Sequence, residues 1–218
     1  KTITTLAVGE GGEANLGQIG TVLGALSYYC IAVIIGLLLH TTIVYLGLLK
    51  LFTPLKISQF FKAIAPAQLL AFSTSSSGAT LPVTMRQCKE KLGASKETTS
   101  FVLPLGATIN MDGTALYQAV AAVFIAQAYS IPLDLGAQIT IILTAVMASI
   151  GTAAVPGAGI IMLVIILEAI NVPTAGIALI LGVDRILDML RTATNVTGDA
   201  AVCAIIAHSE KQLHPPSE

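Results

Sequence analysis

Apolar residues run along this chain in blocks long enough to cross a bilayer, and the later blocks are each broken by small or polar residues. The first block, 16–51, would span about 50 Å as a helix rising 1.5 Å per residue, enough to cross with some tilt. The block 57–85 is interrupted by Ser-Thr-Ser-Ser-Ser-Gly-Ala-Thr at 73–80 and by Pro82, and the block 101–128 by Asn-Met-Asp-Gly-Thr at 110–114. The block 136–167 is interrupted at 149–159. A last block, 177–206, is built mainly from Ala, Ile, Leu and Val but carries Asp184, Arg185, Asp188, Arg191 and Asp199. This pattern predicts an all-α membrane protein whose helices break where polar residues cluster.

Two of the interruptions form a repeat. Ser-Ser-Ser-Gly-Ala-Thr-Leu-Pro at 75–82 and Ser-Ile-Gly-Thr-Ala-Ala-Val-Pro at 149–156 both start at Ser and end at Pro. A membrane segment with a polar cluster follows each, at 110–114 and at 191–199. Lys50, Lys56, Lys62, Arg86, Lys89, Lys91 and Lys96 fall in two short segments, which the positive-inside rule places in the cytoplasm. The turns near 130–137 and 170–175 hold no Lys or Arg and are expected outside. Each interrupted block would then enter and leave on one face, as a re-entrant helical hairpin with its tip at mid-membrane. Two such hairpins inserted from opposite faces make an inverted repeat. Irregular backbone at that depth must be covered by protein or line a water-filled cavity. Packing explains one run of small residues in a membrane helix, but two of them, each followed by an acidic segment, point to a shared site.

Composition agrees with the membrane reading: 55% of residues are hydrophobic, 11% are charged and the mean hydropathy is +0.84, whereas soluble domains carry about 25% charged residues. A net charge of −1 gives no reason to expect a nucleic acid partner. Cys30, Cys88 and Cys203 lie far apart, without metal-ligand spacing, and read as small buried hydrophobes. His40, His208 and His214 form no cluster and receive no role. The polar, Gly-rich opening at 1–15 reads as a loop, and residue 1 as a position other than the natural start.

The charged block needs an energetic explanation. On insertion scales each ionised residue at a helix centre costs about 2.5–3.5 kcal/mol, while an Ile or Leu returns only about 0.3–0.6 kcal/mol. These charges must therefore face protein, water or a bound ion. Asp184, Asp188, Arg191, Asn195 and Asp199 recur at helical spacing and lie on one stripe. The planar fork of Arg191 suits a carboxylate, and Asp188, one turn earlier, suits an ammonium group. Asn-Met-Asp-Gly at 110–113 is poor at continuing a helix. The carbonyls freed there, with the carboxylates of Asp112 and Asp199, form hard-oxygen sets suited to a small cation such as sodium. Hairpin-tip amides can bind an anionic group as helix N-termini do. Cation-coupled uptake of a small zwitterionic or anionic solute follows, with an internal Arg191–Asp188 salt bridge as the plainer alternative.

Four stretches carry a closer resemblance: 75–84, 103–117 with its Asn-Met-Asp-Gly-Thr core, 148–159 and 184–199. In that order they resemble the glutamate transporter family, the dicarboxylate/amino acid:cation symporters. The resemblance implies an all-α membrane fold with two inverted re-entrant helical hairpins, the mobile transport-domain portion of such a protein. Residues 1–15 would be an extracellular loop remnant and 16–52 a transmembrane helix. Residues 53–97 would hold the first hairpin and a cytoplasmic loop, 98–130 a broken transmembrane helix and 131–172 the second hairpin. A charged transmembrane helix, 173–208, and a cytoplasmic tail, 209–218, would complete the chain. The N-terminal scaffold would be missing, and the complete protein would be a homotrimer, multi-pass in the plasma membrane.

The same resemblance implies roles for individual residues. Arg191 would bind the side-chain carboxylate of an acidic amino acid and Asp188 its amino group, with Thr114, Thr192 and Asn195 completing the pocket. Ser75 and Ser77 would join from the first hairpin, Val155 and Gly159 from the second. One sodium ion would bind Asp199 with carbonyls of Gly106, Asn110 and Asn195. A second would take carbonyls of Thr108, Ser149, Ile150 and Thr152, and a third Asp112 with Asn110. No further cofactor is implied, and the second hairpin would gate a domain that moves like an elevator.

Arg191 favours glutamate or aspartate over neutral amino acids, and Asp188 favours an amino acid over a plain dicarboxylate. Gln118 stands where potassium- and proton-coupled members carry Glu. A supporting Arg of the family is replaced by Ser75 or Met189, which leaves Arg185 as a candidate for that work. The runner-up readings are a proton-coupled or C4-dicarboxylate symporter, an intramembrane hydrolase using Ser75, Ser76 or Ser77, and a structural domain held by salt bridges.

Overall fold

A computed structural model describes residues 16–214. The expected loop at 1–15 and the end of the tail, 215–218, lie outside them. Among the described residues the fold is helical, and the sole β-type pairing is a bridge between Ala94 and Leu213. The elements are α1 (Leu16–Leu39), a π-helical turn (His40–Tyr45), α2 (Leu46–Phe52), α3 (Ile57–Thr74), α4 (Ser77–Glu90) and α5 (Lys96–Ile109). They continue with α6 (Asp112–Ala128), α7 (Leu135–Ile150), α8 (Ala158–Ala169), a 3-10 turn (Thr174–Leu179) and α9 (Leu181–Ser209).

Local chemistry sets several of these boundaries. Backbone N–H groups at helix starts need acceptors. Ser76 Oγ accepts from Ala79 N at 3.1 Å, Ser95 Oγ from Thr98 N at 3.1 Å and Asp134 Oδ1 from Ala137 N at 2.7 Å. These caps open α4, α5 and α7. The break between α5 and α6 falls at Asn110 and Met111, whose ψ values of 66° and 50° leave the helical range. α3 stops at Ser75, which adopts φ 52° and ψ 34°. A left-handed conformation is uncommon for a residue with a Cβ and clusters at functional positions.

The structure corrects the eight-residue repeat. Only Ser75 and Ser76 separate α3 from α4, so Ser77–Pro82 is helix and Pro82 sits inside α4. The second interruption is a true loop from Gly151 to Gly157 that includes Pro156. Capping by Ser76 lets the first chain reversal close in two residues, whereas the second lacks a side-chain cap and turns through Gly157 at φ 75°. The two tips nevertheless meet. Ser76 Oγ donates to Ala154 O at 2.7 Å and Gly78 N to the same oxygen at 3.2 Å.

α9 is the spine, touching α1 to α6 along its length. Around its first turns, an apolar core joins Tyr29, Val33, Tyr117, Ile125, Leu163 and Leu187. Around its last turns, a second core joins Leu49, Phe60, Ile64, Leu103, Ala200 and Ala204. Between them the buried side of α9 is polar: Asp188, Arg191, Thr192, Asn195, Thr197 and Asp199 are all under 6% exposed. The site is thus a polar waist closed at both ends by hydrocarbon.

Two segments, Gly20–Phe52 and Lys96–Ala128, are long and apolar enough to cross a membrane. Large apolar side chains on them face outward, among them Tyr28 (78% exposed), Leu51 (74%) and Phe101 (73%). Hydrocarbon accepts such a surface and water does not.

One close approach ties packing to the polar waist. A Cβ on Gly198 would run into the Tyr45 ring, and Tyr45 OH donates to Asp112 Oδ2 at 3.1 Å. Gly198→Ala is therefore expected to cost about 1–3 kcal/mol through overpacking. Thermal unfolding in detergent measures this, and an unchanged midpoint would refute the contact.

Candidate functional site

The nine residues proposed for the substrate line one cavity. Ser75 and Ser77 come from the first tip, Val155 and Gly159 from the second, Thr114 from α6, and Asp188, Arg191, Thr192 and Asn195 from α9. Residues up to 120 positions apart must converge for this, and the contact of the two tips across Ala154 brings them together. The cavity measures about 20 Å³, room for roughly one water.

Arg191 dominates the electrostatics and is 2% exposed. Its Nε donates to Asp188 Oδ1 at 3.0 Å, and its Nη2 lies 2.9 Å from the same oxygen. Asp188 Oδ2 accepts from Gly157 N at 2.9 Å, which ties the second tip to α9. A Cβ at Gly159 would sit 2.9–3.0 Å from Cζ, Nη1 and Nη2 of Arg191, so the flat of the guanidinium lies against that glycine. Gly159 O in turn accepts from Gln118 Nε2 at 2.9 Å. Three buried polar atoms around this region, Ser75 Oγ, Gln118 Oε1 and Arg191 Nη1, have no hydrogen-bond partner. Unpaired buried groups cost free energy, and a ligand or water can relieve that cost. Asn195 ties α9 to α6: its Oδ1 accepts from Gly113 N at 2.8 Å and its Nδ2 donates one hydrogen to Thr114 Oγ1 at 3.1 Å, leaving a second amide hydrogen for another partner.

The residues proposed for sodium divide into three places. Asp199 Oδ1 accepts from Asn110 Nδ2 at 2.9 Å, and a Cβ on Gly106 would lie 2.6 Å from that oxygen, so these three residues are together. Asp199 is 3% exposed and makes no ion pair among the described residues. Asp112 lies apart, bonded to His40 and Tyr45, while the Asn110 side chain goes to Asp199. In the remaining set, Thr108 and Ile150 are exposed, and the hydroxyls of Thr108 and Ser149 donate to their own helices at Leu105 O and Val146 O. The Ser149 carbonyl accepts from Thr152 N at 3.2 Å, and Thr152 itself lines the cavity beside Arg191.

His40 does have a partner: its Nε2 lies 3.2 Å from Asp112 Oδ2, and its ring meets Tyr45 edge-on at 4.7 Å. The π turn at His40–Tyr45 rotates the helix register and aims both rings at one carboxylate. Nothing in spacing announces a contact across 72 positions. Arg185 is exposed and bonds none of the described side chains, whereas its neighbour Asp184 is buried with Oδ1 3.6 Å from Arg191 Nη1. Tyr117 was missed although a signal existed, because it follows Thr114 by one helical turn. Its hydroxyl donates to Asp184 Oδ1 at 2.6 Å, and Arg191 Cζ stands 4.2 Å from its ring centre.

The model of the sodium:dicarboxylate symporter family matches residues 14–209. The chain belongs to the sodium:dicarboxylate symporter family. Among relatives in that family, human excitatory amino acid transporter 1 is 47% identical over 194 residues, 89% of this chain and 36% of the relative. Human excitatory amino acid transporter 2 is 47% identical over 186 residues, 85% of this chain and 32% of the relative. Rat excitatory amino acid transporter 4 is 48% identical over 191 residues, 87% of this chain and 34% of the relative. The chain thus spans about a third of the length of these symporter-family relatives. Membership places the apolar outward faces in a membrane.

Proposed function

We propose that this chain forms the substrate- and cation-binding part of a secondary active symporter that takes up an acidic amino acid, glutamate or aspartate, with sodium. The observation that carries this reading is a buried Arg191 beside Asp188 in a cavity bounded by both helical tips. A guanidinium fork and a carboxylate one helical turn apart match a ligand with a second carboxylate and an ammonium group. Asp188 would release Arg191 to the ligand's side-chain carboxylate and take the ammonium. Thr114, Thr192 and Asn195 would complete the contacts, with Ser75, Ser77, Val155 and Gly159 contributing from the tips.

Charge supplies the reason for coupling. Asp184 and Asp188 both face the one Arg191 guanidinium, and Asp199 is buried without an ion pair among the described residues, so buried carboxylates outnumber the guanidinium. An anionic amino acid adds another, which a low-dielectric site resists unless cations enter with it. Asp199 with Gly106, Asn110 and Asn195 is the first cation site we propose. Thr108, Ser149, Ile150 and Thr152 form the second, and Asp112 with Asn110 the third. The α3–α4 and α7–α8 pairs would be re-entrant hairpins, the second acting as gate. The domain would move like an elevator in the plasma membrane, within a homotrimer built on N-terminal helices outside this chain.

The family description supports a dicarboxylate substrate as the second reading, and Asp188 speaks against it because a plain dicarboxylate has no ammonium. A hydrolase is disfavoured because Ser76 Oγ is engaged at Ala154 O and no histidine lines the cavity. Binding titrations of aspartate, glutamate, succinate and serine at several sodium concentrations and fixed ionic strength test the assignment. Steep sodium dependence for aspartate or glutamate is expected. Tighter succinate binding, or a flat sodium response, would overturn it.

A further inference from the structure

The Arg191 guanidinium has two sides, and they are treated differently. Asp188 occupies the Nε–Nη2 side, whereas Nη1 makes no hydrogen bond and lies 3.6 Å from Asp184 Oδ1. That Asp184 oxygen is itself fixed, because it accepts from Tyr117 OH at 2.6 Å. The Tyr117 ring is 0% exposed and carries Arg191 Cζ 4.2 Å from its centre. A single aromatic residue therefore both stacks on the guanidinium and pins the carboxylate facing its free nitrogen. A tyrosine serving as core filler needs no such anion, and a carboxylate buried for packing has no reason to face an orphaned donor.

On the symporter reading, on which this inference rests, Asp188 leaves Arg191 when a ligand's ammonium arrives. Arg191 then loses its nearest anion just as its fork must point at the incoming carboxylate. Asp184 is the remaining fixed anion beside it. We propose that Asp184, held by the Tyr117 hydroxyl, is a positioning residue that aims the Arg191 fork and so determines preference for acidic over neutral amino acids. The guanidinium stays charge-compensated and in plane while its other edge is free. Asp184 touches no substrate in this scheme and acts only through Arg191.

The test measures aspartate and serine dissociation constants at saturating sodium, with the protein in lipid vesicles. Asp184→Asn keeps the shape and the acceptor for Tyr117 but removes the charge. It is expected to weaken aspartate about tenfold, the scale of one charge-assisted hydrogen bond, with serine changed less than about threefold. Tyr117→Phe keeps the stacked ring and frees Asp184, and a selective loss of about threefold for aspartate is expected. This milder variant keeps the proposal testable if Asp184→Asn fails to fold. Equal losses for both amino acids would mean a purely structural role, and unchanged or tighter aspartate binding would mean no positioning role; either result overturns the inference. Arg191→Cys separates the two layers. If that variant binds aspartate normally the symporter reading fails, and if it alone loses aspartate only the role of Asp184 fails.

Discussion

Arg191→Cys is expected to weaken aspartate binding by about a hundredfold or more, since two charge-assisted hydrogen bonds are worth about 3 kcal/mol together and each 1.4 kcal/mol is tenfold. Serine binding is expected to tighten, because Asp188 loses the guanidinium that occupies its Oδ1 and becomes free for an ammonium. The same substitution leaves Asp184 and Asp188 buried without a counter-ion, which costs about 3–5 kcal/mol of stability. Arg191→Lys separates these effects. Lysine retains the charge, so most of the stability should survive, but it lacks the planar fork and should still bind aspartate poorly. Titration of both amino acids into each variant, beside thermal unfolding, reads all three quantities. An unchanged aspartate-to-serine ratio in Arg191→Cys would remove Arg191 from the proposed site.

Asp199→Asn is expected to abolish much of the sodium response. The carboxylate is 3% exposed, accepts a hydrogen bond from the Asn110 amide, and has no ion pair among the described residues. A buried carboxylate in that position is costly until a cation arrives. Sodium at about a hundred times its dissociation constant should stabilise the unsubstituted chain by about 2.7 kcal/mol through linkage. In Asp199→Asn that gain should largely vanish, while stability without sodium rises because a buried charge is gone. Aspartate affinity at fixed sodium should fall with it, since the cation no longer offsets the incoming negative charge. Unfolding midpoints across a sodium series at constant ionic strength decide the matter. A sodium-induced shift equal in both proteins would exclude Asp199 as a cation ligand.

Helices were legible from the chain because long apolar blocks have no other solution in hydrocarbon, where backbone groups must be satisfied within the segment. The break at Asn110 was legible for a related reason: Asn, Asp and Gly in succession oppose helix continuation. The reversal at Ser75 was less so. Runs of serine and small residues are compatible with helix or turn, and only the Ser76 cap and the left-handed Ser75 decide where the chain bends. Pro82 misled because a proline inside a membrane helix is tolerated when neighbours cover the freed backbone.

The candidate site divides in the same way. Helical spacing was enough to put Asp184, Asp188, Arg191, Asn195 and Asp199 on one stripe, and their insertion cost was enough to turn that stripe away from lipid. Spacing on one helix carries no information about the partner opposite. His40 against Asp112, Tyr117 against both Asp184 and Arg191, and Gly157 against Asp188 all join residues more than 30 positions apart or on separate elements. The five ionisable or amide positions and their common face were thus determined by sequence alone, through periodicity and the cost of burying charge. The Arg191–Asp188 pair, one turn apart on α9, was legible too, whereas the Tyr117 hydroxyl on Asp184 and the Gly157 amide on Asp188 were decided only by tertiary packing, because those pairings depend on distances that linear order does not encode.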